Sequence, residues 1–135
     1  MQKEKAHILI ADDEHYIRSS LKTVLEGEGY QVTVAYDGIE CLGLVKKNDY
    51  DVVFLDIKMP RLDGIEALEH IMSFGCTTQV IMICGFANQE TVNECIEIGA
   101  VVFLHKPLDL NTLLAALNVA LAIRKEKKRT ATSVL

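Results

Sequence analysis

Hydrophobic residues in this chain fall into short unbroken runs separated by stripes of helical spacing. HILIA (7–11), DVVFL (51–55), QVIMIC (79–84) and VVFLH (101–105) are continuous apolar runs of strand length, and QVTVA (31–35) is β-branched and strand-like. Between them the period changes to that of a helix. From Glu14 onward, Ile17, Leu21, Val24 and Leu25 share one face until GEGY ends the stripe. Asp37-Gly38 opens a second helix with Cys41, Leu42 and Val45 inward. A third runs from about Ile65 to Ser73 with Ile65, Leu68 and Met72 inward. Asn88 can cap a fourth, which reaches about Ile98 and stops at Gly99. Asp109 caps a fifth, with Leu110, Leu113, Leu114, Leu117 and Leu121 on one stripe.

The order is (βα)5. Strands that are apolar throughout, rather than alternating, belong to a parallel sheet covered on both faces. Short links and right-handed crossovers then predict an α/β, flavodoxin-like doubly wound fold with strand order 2-1-3-4-5. Such folds bind ligands beyond the carboxyl ends of the strands, where the strand order reverses. Here that is between strands 1 and 3.

A length of 135 residues fits one domain with a real core. The pattern places that domain at 1–123 and leaves 124–135 as a basic tail or linker. RKEKKR (124–129) holds five of the 14 basic residues and one of the 19 acids, so the remainder carries 9 positive against 18 negative charges. An acidic body argues against direct nucleic-acid binding by this domain. The basic run reads as a solvated helix end favoured by the helix dipole. No apolar stretch approaches the roughly 20 residues of a membrane span, and the opening MQKEKAHILIADDE has no leader-like apolar core. These features predict a cytoplasmic protein without a membrane partner. Cys41, Cys76, Cys84 and Cys95 form no CxxC pair, and Cys41 and Cys95 fall on apolar helix faces as small buried hydrophobes.

The chemistry collects at the strand ends. Strand 1 delivers Asp12 and Asp13, strand 3 delivers Asp56 and strand 5 delivers Lys106. Taken alone, Asp12 reads as a helix cap, Asp37, Asp49 and Asp51 as turn or cap acids, and Lys106-Pro107 as a surface turn. Together, three carboxylates at one edge repel unless a hard dication relieves them, and Mg2+ takes oxygen ligands. A lysine opposite the metal makes room for an anion, phosphate above all. A carboxylate there can act as a nucleophile and form an aspartyl phosphate, because phosphoryl transfer needs mainly positioning and charge neutralisation.

ILIADDE, VVFLDIKMPRLDGIEAL and FLHKPLD resemble the response-regulator receiver domains of two-component signalling, over roughly residues 6–123. The C-terminal part is most similar to receivers of enhancer-binding regulators or hybrid kinases. The resemblance implies Asp56 as phosphoacceptor, with Asp13 a direct Mg2+ ligand. Asp12 would act largely through water, and the backbone carbonyl of Lys58 would complete the protein ligands. It implies Lys106 as the partner of the acceptor and then of the phosphoryl group, a Lys106–Pro107 bond that is often cis, and Phe103 as an aromatic switch. Catalysis would be limited to the chain's own phosphorylation and dephosphorylation. The donor would be a sensor histidine kinase or a histidine phosphotransfer protein. The output domain or partner is unknown, and self-association as a homodimer stays open.

Cys84 stands where the family usually has Ser or Thr, and a thiol is a weaker donor to a phosphoryl oxygen. The alternative function is therefore a receiver-like interaction module with weak or no switching. Lys58 and Phe86 occupy the positions that flank the path of a hydrolytic water, which implies a long-lived phosphoryl group. A haloacid-dehalogenase-type phosphatase would want DxD where this chain has Asp56-Ile57-Lys58. A flavodoxin would want a hydroxyl-rich or glycine-rich cradle where this chain has DDEH.

Overall fold

A computed structural model describes residues 6–133. The elements alternate in chain order. They are β1 (His7–Ala11), α1 (His15–Gly27), β2 (Gln31–Ala35), α2 (Gly38–Lys47) and β3 (Val52–Asp56), then α3 (Gly64–Ser73), β4 (Gln79–Cys84), α4 (Gln89–Ile98), β5 (Val102–His105) and α5 (Leu110–Ser133). The five strands form one parallel sheet in the order β2-β1-β3-β4-β5, the doubly wound order expected. Among the described residues, no helix is long and apolar enough to cross a membrane.

The apolar runs are continuous because the central strands are covered on both sides. Alternate residues feed two cores. Leu9, Val53, Leu55, Val80 and Met82 face α2, α3 and α4, while Ile8, Ile10, Phe54, Ile81 and Ile83 face α1 and α5. β3 and β4 are buried at every position, whereas β2 and β5, at the two edges, are only half-buried. Truncating a side chain such as Leu55 or Ile81 to alanine would cost about 2–5 kcal/mol.

Helix starts follow their capping acids and amides. Asp37 accepts from the Glu40 amide, Asp63 from Glu66, Asn88 from Thr91 and Asp109 from Thr112, all at 2.8–2.9 Å. Gly99 ends α4 at φ 141°, a conformation for which glycine is suited. Leu110 departs from the expected stripe and is 47% exposed. It sits in the first turn of α5, beyond the end of β5, and borders a groove with Tyr16 and Ile17 of α1.

The expected division at residue 123 is not a structural boundary. α5 runs unbroken to Ser133, and Arg124 is 4% exposed. Its guanidinium pairs with Asp51, with Asp49 at 2.6 Å and with the Thr77 hydroxyl at 3.2 Å. Asp51 also accepts from the His7 amide at 2.7 Å. Asp49 and Asp51 are therefore partners of Arg124 at the amino-terminal edge of the sheet, not turn or cap acids. The remainder of the expected tail continues the helix, and its last two positions, 134 and 135, lie outside the described residues.

Removing the Arg124 charge strands Asp51 in a partly buried site, so Arg124→Gln lowers stability by about 2–3 kcal/mol in urea unfolding. Lys125→Gln, one residue further on an exposed face, stays within about 0.5 kcal/mol of the parent. Equal stability for the parent and Arg124→Gln would show that the Arg124 ion pairs add nothing to the fold.

Candidate functional site

The site is built where strands stop. The β1 ladder ends at Ala11, and the Asp12 amide still bonds to the Ala35 carbonyl at 3.1 Å, which fixes Asp12 one residue past the core. Asp56 is the last residue of β3, opposite Ile83. The Lys106 amide donates to the Cys84 carbonyl at 2.8 Å, so the β4–β5 pairing sets the root of the lysine. The Lys106–Pro107 peptide bond is cis. After Asp56 the chain turns sharply, and the Gly64 amide returns to the Ile57 carbonyl at 2.7 Å. A Cβ at Gly64 would collide with the Asp56 carbonyl, which is why the turn that holds the acid carries Asp63-Gly64.

These strand ends bring together the residues expected. Carboxylate oxygens of Asp12, Asp13 and Asp56 lie within 4.8 Å of one another. Asp12 and Asp56 are buried, and Asp13 is exposed. A cavity of about 370 Å³ opens beside them, lined by Asp13, Glu14, Asp56, Lys58, Cys84, Gly85, Phe86 and Lys106. Asp12 uses one oxygen to accept the Glu14 amide at 2.9 Å. Its other oxygen, Oδ2, is buried with no aligned hydrogen-bond donor and has the Lys106 ammonium 3.0 Å away.

Lys106 is not held by Asp56 alone. Its Nζ lies 2.6 Å from Glu14, 3.0 Å from Asp12 and 3.6 Å from Asp56. Burial opposes its charge, but the carboxylates of Glu14, Asp12 and Asp56 push its pKa above the usual lysine range. Burial first, and the Asp12 charge second, push Asp56 up to about 7. Lys106 pulls it back, Asp13 adds to the rise, and the Lys58 amide lowers it slightly.

An acid pushed this far from its ordinary value, beside a buried Asp12 oxygen that no aligned donor satisfies, fits a site for a cation. All three donors are hard carboxylate oxygens, the set that suits Mg2+.

Other expected residues occupy the rim. Cys84 is buried, and its thiol meets the Phe86 carbonyl at 2.9 Å, within its own loop. Phe86 is 72% exposed at the mouth of the cavity. Phe103 lies half-buried on β5, against the core on the α2–α4 side, with its ring 5.2 Å from that of His105. Two contacts were not anticipated. Glu14 reads in sequence as one more acid at a helix start, but as the N-cap of α1 it makes no capping bond with its side chain and reaches Lys106. Arg61, at a positive φ of 71°, bonds the α2 cap Asp37 at 2.9 Å and ties the loop after Asp56 to α2.

A family profile described as Response regulator receiver domain matches residues 8–118. The chain is 35% identical over 122 residues to Transcriptional regulatory protein ZraR of Klebsiella oxytoca, matching 90% of this chain but spanning only 28% of that protein. It is 35% identical over 124 residues to Sporulation initiation phosphotransferase F of Bacillus subtilis, covering 92% of this chain and 98% of that one. Among solved structures, the CheX-CheY-BeF3-Mg+2 complex from Borrelia burgdorferi superposes with a TM-score of 0.80 at 35% identity, over 83% of this chain and 86% of that one.

The raised Asp56 pKa has a consequence for stability. Unfolded, an aspartate titrates near 4. Between about pH 4 and 7 the folded chain keeps a proton on Asp56 that the unfolded chain has lost. Without metal, stability therefore falls as pH rises through that window. In chelator at pH 8, Asp56→Asn melts higher than the parent by roughly 3–6 °C, and the gap closes towards pH 5. Excess Mg2+ reverses the order. Parallel melting temperatures across pH would show that Asp56 is not charged against its neighbours.

Proposed function

Because the chain belongs to the response-regulator receiver family, we propose that it is a phosphorylation switch whose acceptor is Asp56. The observation that carries this reading is the cluster of Asp12, Asp13 and Asp56 with Lys106 against it, at one side of a cavity. Receiver domains generally bind Mg2+, and here Asp12, Asp13 and Asp56 would hold it, with the Lys58 carbonyl as a further ligand. Bound there, the ion would neutralise the acids and the charge on the incoming phosphoryl oxygens.

The donor is a phosphohistidine on a sensor kinase or a phosphotransfer protein. An Asp56 carboxylate oxygen attacks phosphorus as the P–N bond breaks, and the imidazole leaves with the bond pair and takes up a proton. Asp56, ionised once a cation offsets its neighbours' charge, contributes a nucleophile held by its own strand and turn. Lys106 supplies a compact charge, first to the carboxylates and then to a phosphoryl oxygen. Gly85 lines the same cavity, and its amide would be a neutral donor to a phosphoryl oxygen there. Self-phosphorylation and its reversal are the whole of the catalysis proposed. The position of Phe103 suits an aromatic side chain that moves inward as β4 and its loop close on the phosphoryl group.

A second reading, an interaction module that switches weakly, rests on Cys84. Its thiol is turned to the Phe86 carbonyl, so closing the loop on a phosphoryl group would break one weak bond to make another.

Acetyl phosphate with Mg2+ should add one phosphoryl group, read by intact mass, and Asp56→Asn should take up none. Asp13→Ala should bind Mg2+ at least about tenfold more weakly, one hard oxygen ligand having been lost. Labelling of Asp56→Asn at the parent level would remove Asp56 as acceptor.

Cys84→Thr should enlarge the NMR response around Phe103 and α4 on beryllofluoride addition. A hydroxyl donor to a charged oxygen is worth roughly 1.5–3 kcal/mol, or tenfold or more in a two-state equilibrium. Identical responses from both proteins would mean that the thiol does not limit switching. The double variant Lys58→Asn, Phe86→Glu should lose its phosphoryl group faster than the parent. Unchanged decay would remove shielding by Phe86 as the basis of a long lifetime.

A further inference from the structure

Lys106 spends its resting state on a carboxylate that takes no part in the transfer proposed above. Glu14 is its nearest partner at 2.6 Å, a full ångström closer than Asp56. Glu14 is well placed for this. Its amide is fixed by Asp12 Oδ1, and its side chain, free of any capping bond, turns over the cavity. The lysine is almost buried, with 14% of its side chain exposed, while the Glu14 side chain is 57% exposed at the rim. The pair thus joins an inner group to an outer one across the opening through which an anion would enter.

We propose that Glu14 is a latch on Lys106: it holds the ammonium off the phosphoacceptor, and the Lys106–Glu14 contact must open before a phosphoryl group can be gripped. The inference rests on Asp56 being the acceptor. Two consequences follow. Small anionic donors meet a carboxylate at the cavity mouth and must break its ion pair unaided. A protein donor that brings a cationic side chain to the rim can take Glu14 as its own partner and release Lys106 as it docks. Glu14 then selects for protein donors over free phosphate esters and anhydrides.

The test uses beryllofluoride, a phosphoryl mimic, titrated by NMR into the Mg2+-saturated protein. Glu14→Gln keeps the reach of the side chain and loses the charge, while Glu14→Asp keeps the charge and is one methylene shorter. Both should bind the mimic about three- to tenfold more tightly than the parent, since either change weakens the grip on Lys106. Both should also be phosphorylated faster by acetyl phosphate, and the Lys106 ammonium resonance should move in the mimic-free protein. Parent-like affinity in Glu14→Gln overturns the latch. So does tighter binding by Glu14→Gln together with parent-like binding by Glu14→Asp, because charge at the rim would then be enough. If neither the parent nor any variant binds the mimic or takes up phosphate, the acceptor assignment fails and the latch fails with it.

Discussion

Three carboxylates with oxygens inside 4.8 Å of one another, two of them buried, set the terms for this molecule. Bringing like charges together in a region of low dielectric is unfavourable, and the chain meets that cost with one inner cation shared among several acids. Such sharing leaves Asp12 with an oxygen that no aligned donor satisfies and raises the pKa of Asp56. The surrounding structure works to keep the acids in place despite their repulsion. The β1–β2 pairing fixes Asp12, the β3–β4 pairing fixes Asp56, and the β4–β5 pairing fixes the backbone of Lys106. A sheet buried on both faces provides the rigidity that a flexible loop could not. The site is thus under electrostatic stress, which a cation bound among the three acids would relieve.

Much of this was legible in the chain. The unbroken apolar runs named the central strands, because only a parallel sheet with helices on both faces buries every residue of a strand. The acids at the ends of those runs named the site, since a carboxylate on a buried strand has no structural purpose at its tip. Capping residues Asp37, Asn88 and Asp109 marked helix starts through local chemistry. What was not legible depended on distant partners. Glu14 and Lys106 are 92 positions apart, and nothing in the spacing of DDEH separates a rim carboxylate from an ordinary helix-start acid. Arg124 lies beside lysines that are exposed, and its partners Asp49 and Asp51 are 75 and 73 positions away. One signal did exist. Leu113, Leu117 and Ala120 are buried at steps of four and three, and Arg124 is the next step of four on that inward line.

α5 starts near the carboxyl ends of the strands and is fastened again near their amino ends. Its first turn follows Lys106 by four residues, and Arg124 fastens it among Asp49, Asp51 and Thr77 at the amino ends. At 1.5 Å per residue, about 21 Å of helix lies between Leu110 and Arg124, and about 13 Å continues from there to Ser133. Between Leu110 and Arg124, Leu113, Leu117 and Ala120 are buried against the sheet, so the helix is seated along this whole length. Arg124 thus marks the point at which the helix passes from side chains buried against the sheet to the exposed basic run that follows, and its ion pairs set where that change falls.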